Sequence, residues 1–246
     1  MLTIFVFHGS QVSRFTIVLA IAYSTALIGS QYFFMKALMT GISSVCTFIY
    51  SCGFIIPTVF SVATYGEPVS GFRIGGTVLI VVSSMFFCLN SKNERHSRRV
   101  QENWISPALA AMVCSGFLGI LQKVDQKSDF RQEATILVAV SFVIATLASG
   151  LLTKRHLSNQ KPFVPFAWSK GALAGSALIG ICMGGANFLN TFLSRSVDGI
   201  ILFPVVNGGT IIGAALLGRI FLNEILNGQQ MVGLGAGVLG IAMFSM

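Results

Sequence analysis

The chain has 246 residues, of which 54% are hydrophobic and only 10% charged, and it carries a net charge of +8. Soluble domains carry about 25% charged residues, so this composition excludes an ordinary soluble domain. The positive charge lies in clusters between apolar runs, SKNERHSRRV at 91–100 and TKRHLSNQK at 153–161. No basic domain stands apart from those runs, which excludes nucleic acid as the partner.

A helix needs about 20 mainly apolar residues to cross the hydrocarbon core of a bilayer. Taken in chain order, the runs 15–37, 43–65, 72–89, 105–121, 134–152, 171–193 and 199–222 meet that length or approach it, and 231–246 is shorter but nearly all apolar. The spacing therefore predicts an all-α membrane protein, a polytopic bundle of about eight transmembrane helices. Barrel strands would be about 10 residues long with alternating polarity. The opening MLTIFVF is apolar but too short to span and has no basic n-region; it reads as the tail of a helix whose beginning is absent. The five cysteines, Cys46, Cys52, Cys88, Cys114 and Cys182, sit inside apolar runs without metal-ligand spacing, so no metal and no cofactor are expected. GAGVLG at 235–240 matches a dinucleotide-binding pattern but lies inside the last apolar helix, the wrong context for it. Gly233 and Gly237 in that stretch are spaced for close helix packing. Bundle packing is preferred there, and a homodimer face is left open. No zinc-protease, nucleophile-elbow or phosphate-loop motif occurs, so an enzyme is not expected.

Glu67 opens a short polar gap, and its surroundings recur. GEPVSGFRIGGTVLIV at 66–81 aligns with NEILNGQQMVGLGAGV at 223–238 when shifted by 157 residues, placing Glu67 on Glu224 and Gly76 on Gly233. An odd number of crossings separates the two glutamates, so they are expected at opposite faces, which makes the repeat inverted in topology. Each glutamate is read as marking a helix start, with Pro68 in a favoured early position and the carboxylate near a positive dipole end. The carboxylates and Lys36 and Lys123 fall at span ends, where the lysines are expected to snorkel. No acidic residue is expected deep in a span.

Lys and Arg beside the spans set orientation. Arg14, Arg73, Lys123, Lys127, Arg131 and Arg195 lie in gaps on the side of the termini; Lys36, Lys92, Arg95, Arg98, Arg99, Lys154, Arg155, Lys161, Lys170 and Arg219 lie on the other. The second, larger group is expected in the cytoplasm, with both termini outside.

Polar residues within spans are candidates for a solute site: Asn187 and Asn190, three apart on one helix face, Asn207 before Gly208 and Gly209, and in the first half Ser30, Gln31 and Tyr50. The 157-residue shift relates Ser30 to Asn187 and Tyr50 to Asn207. Interhelical hydrogen bonding, worth about 0.6 kcal/mol per contact, stands as the alternative role.

A span, a glutamate and a glycine nine residues on, once in each half, resembles the EamA-type repeat of the drug/metabolite transporter superfamily. IIPTVFSVATYGEPVSGFRIGG at 55–76 and NEILNGQQMVGLGAGVLGI at 223–241 carry the likeness. The resemblance implies ten helices in two repeats of five. Residues 1–90 would be an incomplete first repeat with its last three helices, 91–103 a basic loop, and 104–246 a complete second repeat. It further implies a secondary transporter of a small metabolite or drug-like solute in the cell membrane, alternating in access about a central cavity. The other expectation is a degenerate or truncated membrane protein with a structural or partner-binding role.

Overall fold

The computed structural model describes residues 12–89, 104–159, 170–221 and 227–245. Among these residues there is no strand. The helices are α1 (Arg14–Thr40), α2 (Ser43–Ser51), α3 (Ile55–Tyr65), α4 (Gly71–Leu89), α5 (Ile105–Lys127), α6 (Ala134–Asn159), α7 (Lys170–Leu193), α8 (Gly199–Phe221) and α9 (Gly228–Met243). α2 and α3 form one span joined by a 3-10 turn, Cys52–Phe54. Pro57 has no N–H to donate, and its ring crowds the carbonyl of the residue four back, which is Gly53 in that turn. Among the described residues, six helices are long and apolar enough to cross a membrane, and Gly71–Phe86 is a shorter apolar helix. The protein is an integral membrane protein built as a helix bundle. The basic loop 91–103 and Glu224 lie outside the described residues.

The chain divides into two compact units, Met1–Ile28 with Val124–Ser196, and Gly29–Lys123 with Val197–Met246. In the first, α1 and α6 are joined where the Ser24 hydroxyl donates to the Ser141 carbonyl at 3.0 Å and the Ser141 hydroxyl to the Ala20 carbonyl at 3.2 Å. The second unit has its core at Phe54, Ile80, Leu202 and Phe203, with Val81, Val197, Ile241 and Phe244 packed around them. A smaller cluster gathers Ala37, Cys46 and Ala108 under Leu38, Ile49 and Trp104.

The repeat is visible in the helix starts and in the packing. Gly71 and Gly228 open α4 and α9 at the same 157-residue separation as the two glutamates; α2 and α8, like α1 and α7, start 156 apart. α4 and α9 pack along their length. A Cβ on Gly76 would lie 2.8 Å from the Gly240 carbonyl, and one on Gly237 would lie 2.7 Å from the Ser83 hydroxyl. Contacts that advance along α4 retreat along α9, so the two related helices are antiparallel. Their starts are at opposite ends, as an inverted repeat requires.

α5 runs six residues past the expected end of its span. The polar stretch after Leu121 reads as a gap, yet Gln122, Lys123, Asp125 and Gln126 are all buried. Buried polar groups hold helix where solvent would otherwise compete for the backbone.

Candidate functional site

The second unit contains a buried ion pair built from three separated stretches of chain. α3 ends at Gly66, whose φ of 62° lies in the left-handed region that glycine enters without a Cβ penalty. Glu67 precedes Pro68, and a residue before proline avoids the helical region. α4 therefore waits until Gly71, where the Ser70 hydroxyl accepts the Arg73 N–H at 3.3 Å. The short extended loop leaves the Glu67 side chain free to turn away from α4.

It turns to α5 and α8. The Lys123 ammonium sits 2.8 Å from Glu67 Oε1, and the two side chains are 1% and 5% exposed. Glu67 Oε2 accepts the Ile200 N–H at 3.0 Å, so the carboxylate sits at the positive N-terminal end of α8. Lys123 Nζ also donates to the Val197 carbonyl at 2.9 Å. Burial alone would push the Glu67 carboxyl up. The Lys123 ammonium and the N–H groups of Gly199 and Ile200 outweigh burial and hold it below the usual carboxylate range.

A second pair lies beside the first. Arg73 Nη1 donates to the Pro68 carbonyl at 2.7 Å and to Asp198 Oδ2 at 3.2 Å, and both side chains are partly exposed. Asp198 leads into α8, its carbonyl accepting the N–H groups of Ile201 and Leu202. Gly199 is buried, and a Cβ there would run into Ser61 of α3. The α3–α4 loop, the end of α5 and the start of α8 are thus clasped at one end of the unit. A cavity of about 350 Å³ lies beside the clasp, lined by Pro68, Val69, Ser70, Arg73, Phe244 and Ser245.

Two expectations change. Glu67 does not cap its own helix: the carboxylate serves the N-terminus of α8, because the Glu67–Pro68 loop holds it away from α4. Lys123 does not snorkel, because an anion and a carbonyl meet it inside the bundle. Asp125, two residues from the C-terminal end of α5, is wholly buried within the protein.

The candidate solute residues are distributed over both units. In the second, Ser30 is buried with no partner for its hydroxyl among the described residues. Gln31 is half-buried. Tyr50 packs on Phe34 with ring centroids 4.4 Å apart, and Asn207 reaches the Ser84 hydroxyl at 3.5 Å, the outer limit of a hydrogen bond. In the first unit, Asn187 accepts a hydrogen bond from the Tyr23 hydroxyl at 2.8 Å and donates to the Met183 carbonyl at 2.9 Å. Asn190 is half-buried one turn on. Tyr23, itself fully buried, links the repeat-related helices α1 and α7. Sequence reasoning passed over it, although a tyrosine in mid-span needs a hydroxyl partner.

No family model matches the chain, and no curated protein matches it. Among solved structures, 17 chains match. One of them, described only as the crystal structure of a protein, has a TM-score of 0.71 at 15% identity over 92% of this chain and 75% of its own length. At that identity the likeness is one of fold.

Proposed function

We propose that this chain is a secondary transporter of a small metabolite or drug-like solute in the cell membrane, working by alternating access. The observation that carries the reading is the antiparallel packing of α4 on α9, two helices related by the internal repeat. Inverted repeats, related by a pseudo-two-fold axis in the membrane plane, let one protein adopt two states, each open to one side, with the solute near the midplane. The resemblance of the two glutamate segments to the EamA-type repeat supports the same assignment. So do amides within spans, which offer both donors and acceptors to a polar solute. In this reading the Glu67–Lys123 pair and the Arg73–Asp198 pair beside it latch one end of the second unit shut, and the latch opens when the opposite end closes.

The test is ligand-induced thermal stabilisation of the purified protein across a panel of small polar and amphipathic metabolites, followed by uptake of any hit into proteoliposomes. Asn187→Ala and Asn207→Ala are expected to weaken binding of the hit and its uptake while leaving membrane insertion intact. A wild-type protein that binds none of the panel and moves none of it favours a structural or partner-binding role. Variants that bind and transport normally make the amides packing groups.

A further inference from the structure

We propose that Asp125 is a proton-binding site, a carboxyl that takes up and releases a proton from a buried position near the end of α5. In a transporter such a group is where solute movement is coupled to a proton. That consequence rests on the reading above, whereas proton binding itself does not.

Asp125 is 0% exposed. Its backbone is fixed, since its carbonyl accepts both the N–H and the hydroxyl of Ser128, at 3.1 and 2.7 Å. One carboxyl oxygen, Oδ2, accepts the Gln126 amide at 2.7 Å. The other, Oδ1, is buried with no partner among the described residues. A carboxylate kept for structure has its oxygens satisfied and a cation beside it. Asp125 has one neutral donor and an oxygen left over, and that oxygen is where a proton fits.

The charged neighbours do not supply a cation. From the start of α6, Glu133 acts on Asp125 with a negative charge, and its own Oε2 accepts the Ser13 N–H at the start of α1 at 3.0 Å. Arg14 on α1, Lys127 on α5, Asp129 and Arg131 in the turn that follows, and Arg195 after α7 are all exposed. An enclosed anion facing a second anion is disfavoured, and uptake of a proton relieves both the desolvation and the repulsion.

Infrared difference spectroscopy of the purified protein, between acid and alkaline buffer, reads protonated carboxyls directly and needs no solute. Wild type is expected to show an enclosed-carboxyl band that fades on alkalinisation, and Asp125→Asn is expected to lose it. Glu133→Gln removes the neighbouring anion and should move the transition to lower pH by about one unit. A band that survives in Asp125→Asn, or a transition that Glu133→Gln leaves in place, overturns the proposal. If Asp125→Asn does not fold, the Glu133→Gln shift decides alone.

Discussion

A lysine and a glutamate buried together can each be read only through the other. Removing two charges from water costs several kcal/mol per ion, and a buried pair roughly recovers that cost through its own attraction and its hydrogen bonds. Removing one partner leaves the other charge stranded, at a cost of about 3–5 kcal/mol. Glu67→Gln and Lys123→Met are each expected to destabilise the protein by an amount in that range, and Glu67→Leu combined with Lys123→Met by clearly less than the sum. Thermal unfolding in detergent provides the comparison, and additive losses would show that the pair is not coupled. The partly exposed Arg73–Asp198 pair is worth about 0–1 kcal/mol, so Arg73→Ala should cost little. The pair also sets a pH dependence. The folded state holds the Glu67 carboxyl below its ordinary range, so its contribution is present in full above the unfolded pKa and is lost as pH falls through the folded one. Wild type should therefore lose its stability advantage over Glu67→Gln on acidification below the ordinary carboxylate range and keep it at neutral pH. A constant difference between the two curves would dissociate Glu67 from the effect. The sequence makes Glu67 conspicuous because it repeats and because Pro68 follows it. Lys123 carries no such signal, since a lysine near a span end is usually solvated and its partner comes from a distant turn.

At the scale of helices, close approach depends on what glycine omits. Gly76 and Gly240 face each other across α4 and α9, and each would put a Cβ within about 3 Å of the other's carbonyl oxygen. Because backbone rather than a flexible side chain is the obstacle, the helices must separate to admit a larger residue. Gly76→Val should cost about 1–3 kcal/mol, the usual range for overpacking. Gly235→Ala, on the same helix as Gly240 but with nothing within 4 Å, should leave stability unchanged or slightly raised, since alanine favours helix. If the two substitutions behave alike in unfolding experiments, the α4–α9 contact is not what holds the pair. The glycine spacing on α9 is legible in the sequence, and Gly237 does pack on α4 at Ser83. The apolar runs likewise give the spans to within a few residues. The end of α5 is not legible in that way: its polar residues look like a loop until burial by partners from other segments is known. The break between α2 and α3 has a visible cause in Pro57, but a proline alone does not say whether a helix kinks or continues.

For the whole molecule, the antiparallel related helices make a statement about sidedness. Glu67 is buried, so the exposed neighbour Val69 reports better on the α3–α4 loop, and Asn227, also exposed, reports on the start of α9. In a background lacking the five native cysteines, single cysteines at positions 69 and 227 are expected to react with a membrane-impermeant maleimide from opposite sides of the membrane. Labelling of both from one side would remove the inverted repeat, and with it the main support for alternating access. The same experiment reports orientation. Arg73, Lys123 and Asp198 meet at one end of the second unit, whereas the count of crossings in the sequence assigns the larger group of basic residues, chiefly 91–103 and 153–170, to gaps on the other side of the membrane. Basic loops are retained in the cytoplasm because Lys and Arg resist translocation. Position 69 should therefore label from outside in intact cells, and position 227 only after the cells are opened. The reverse pattern would keep the repeat, turn the protein over, and put the latch on the cytoplasmic face.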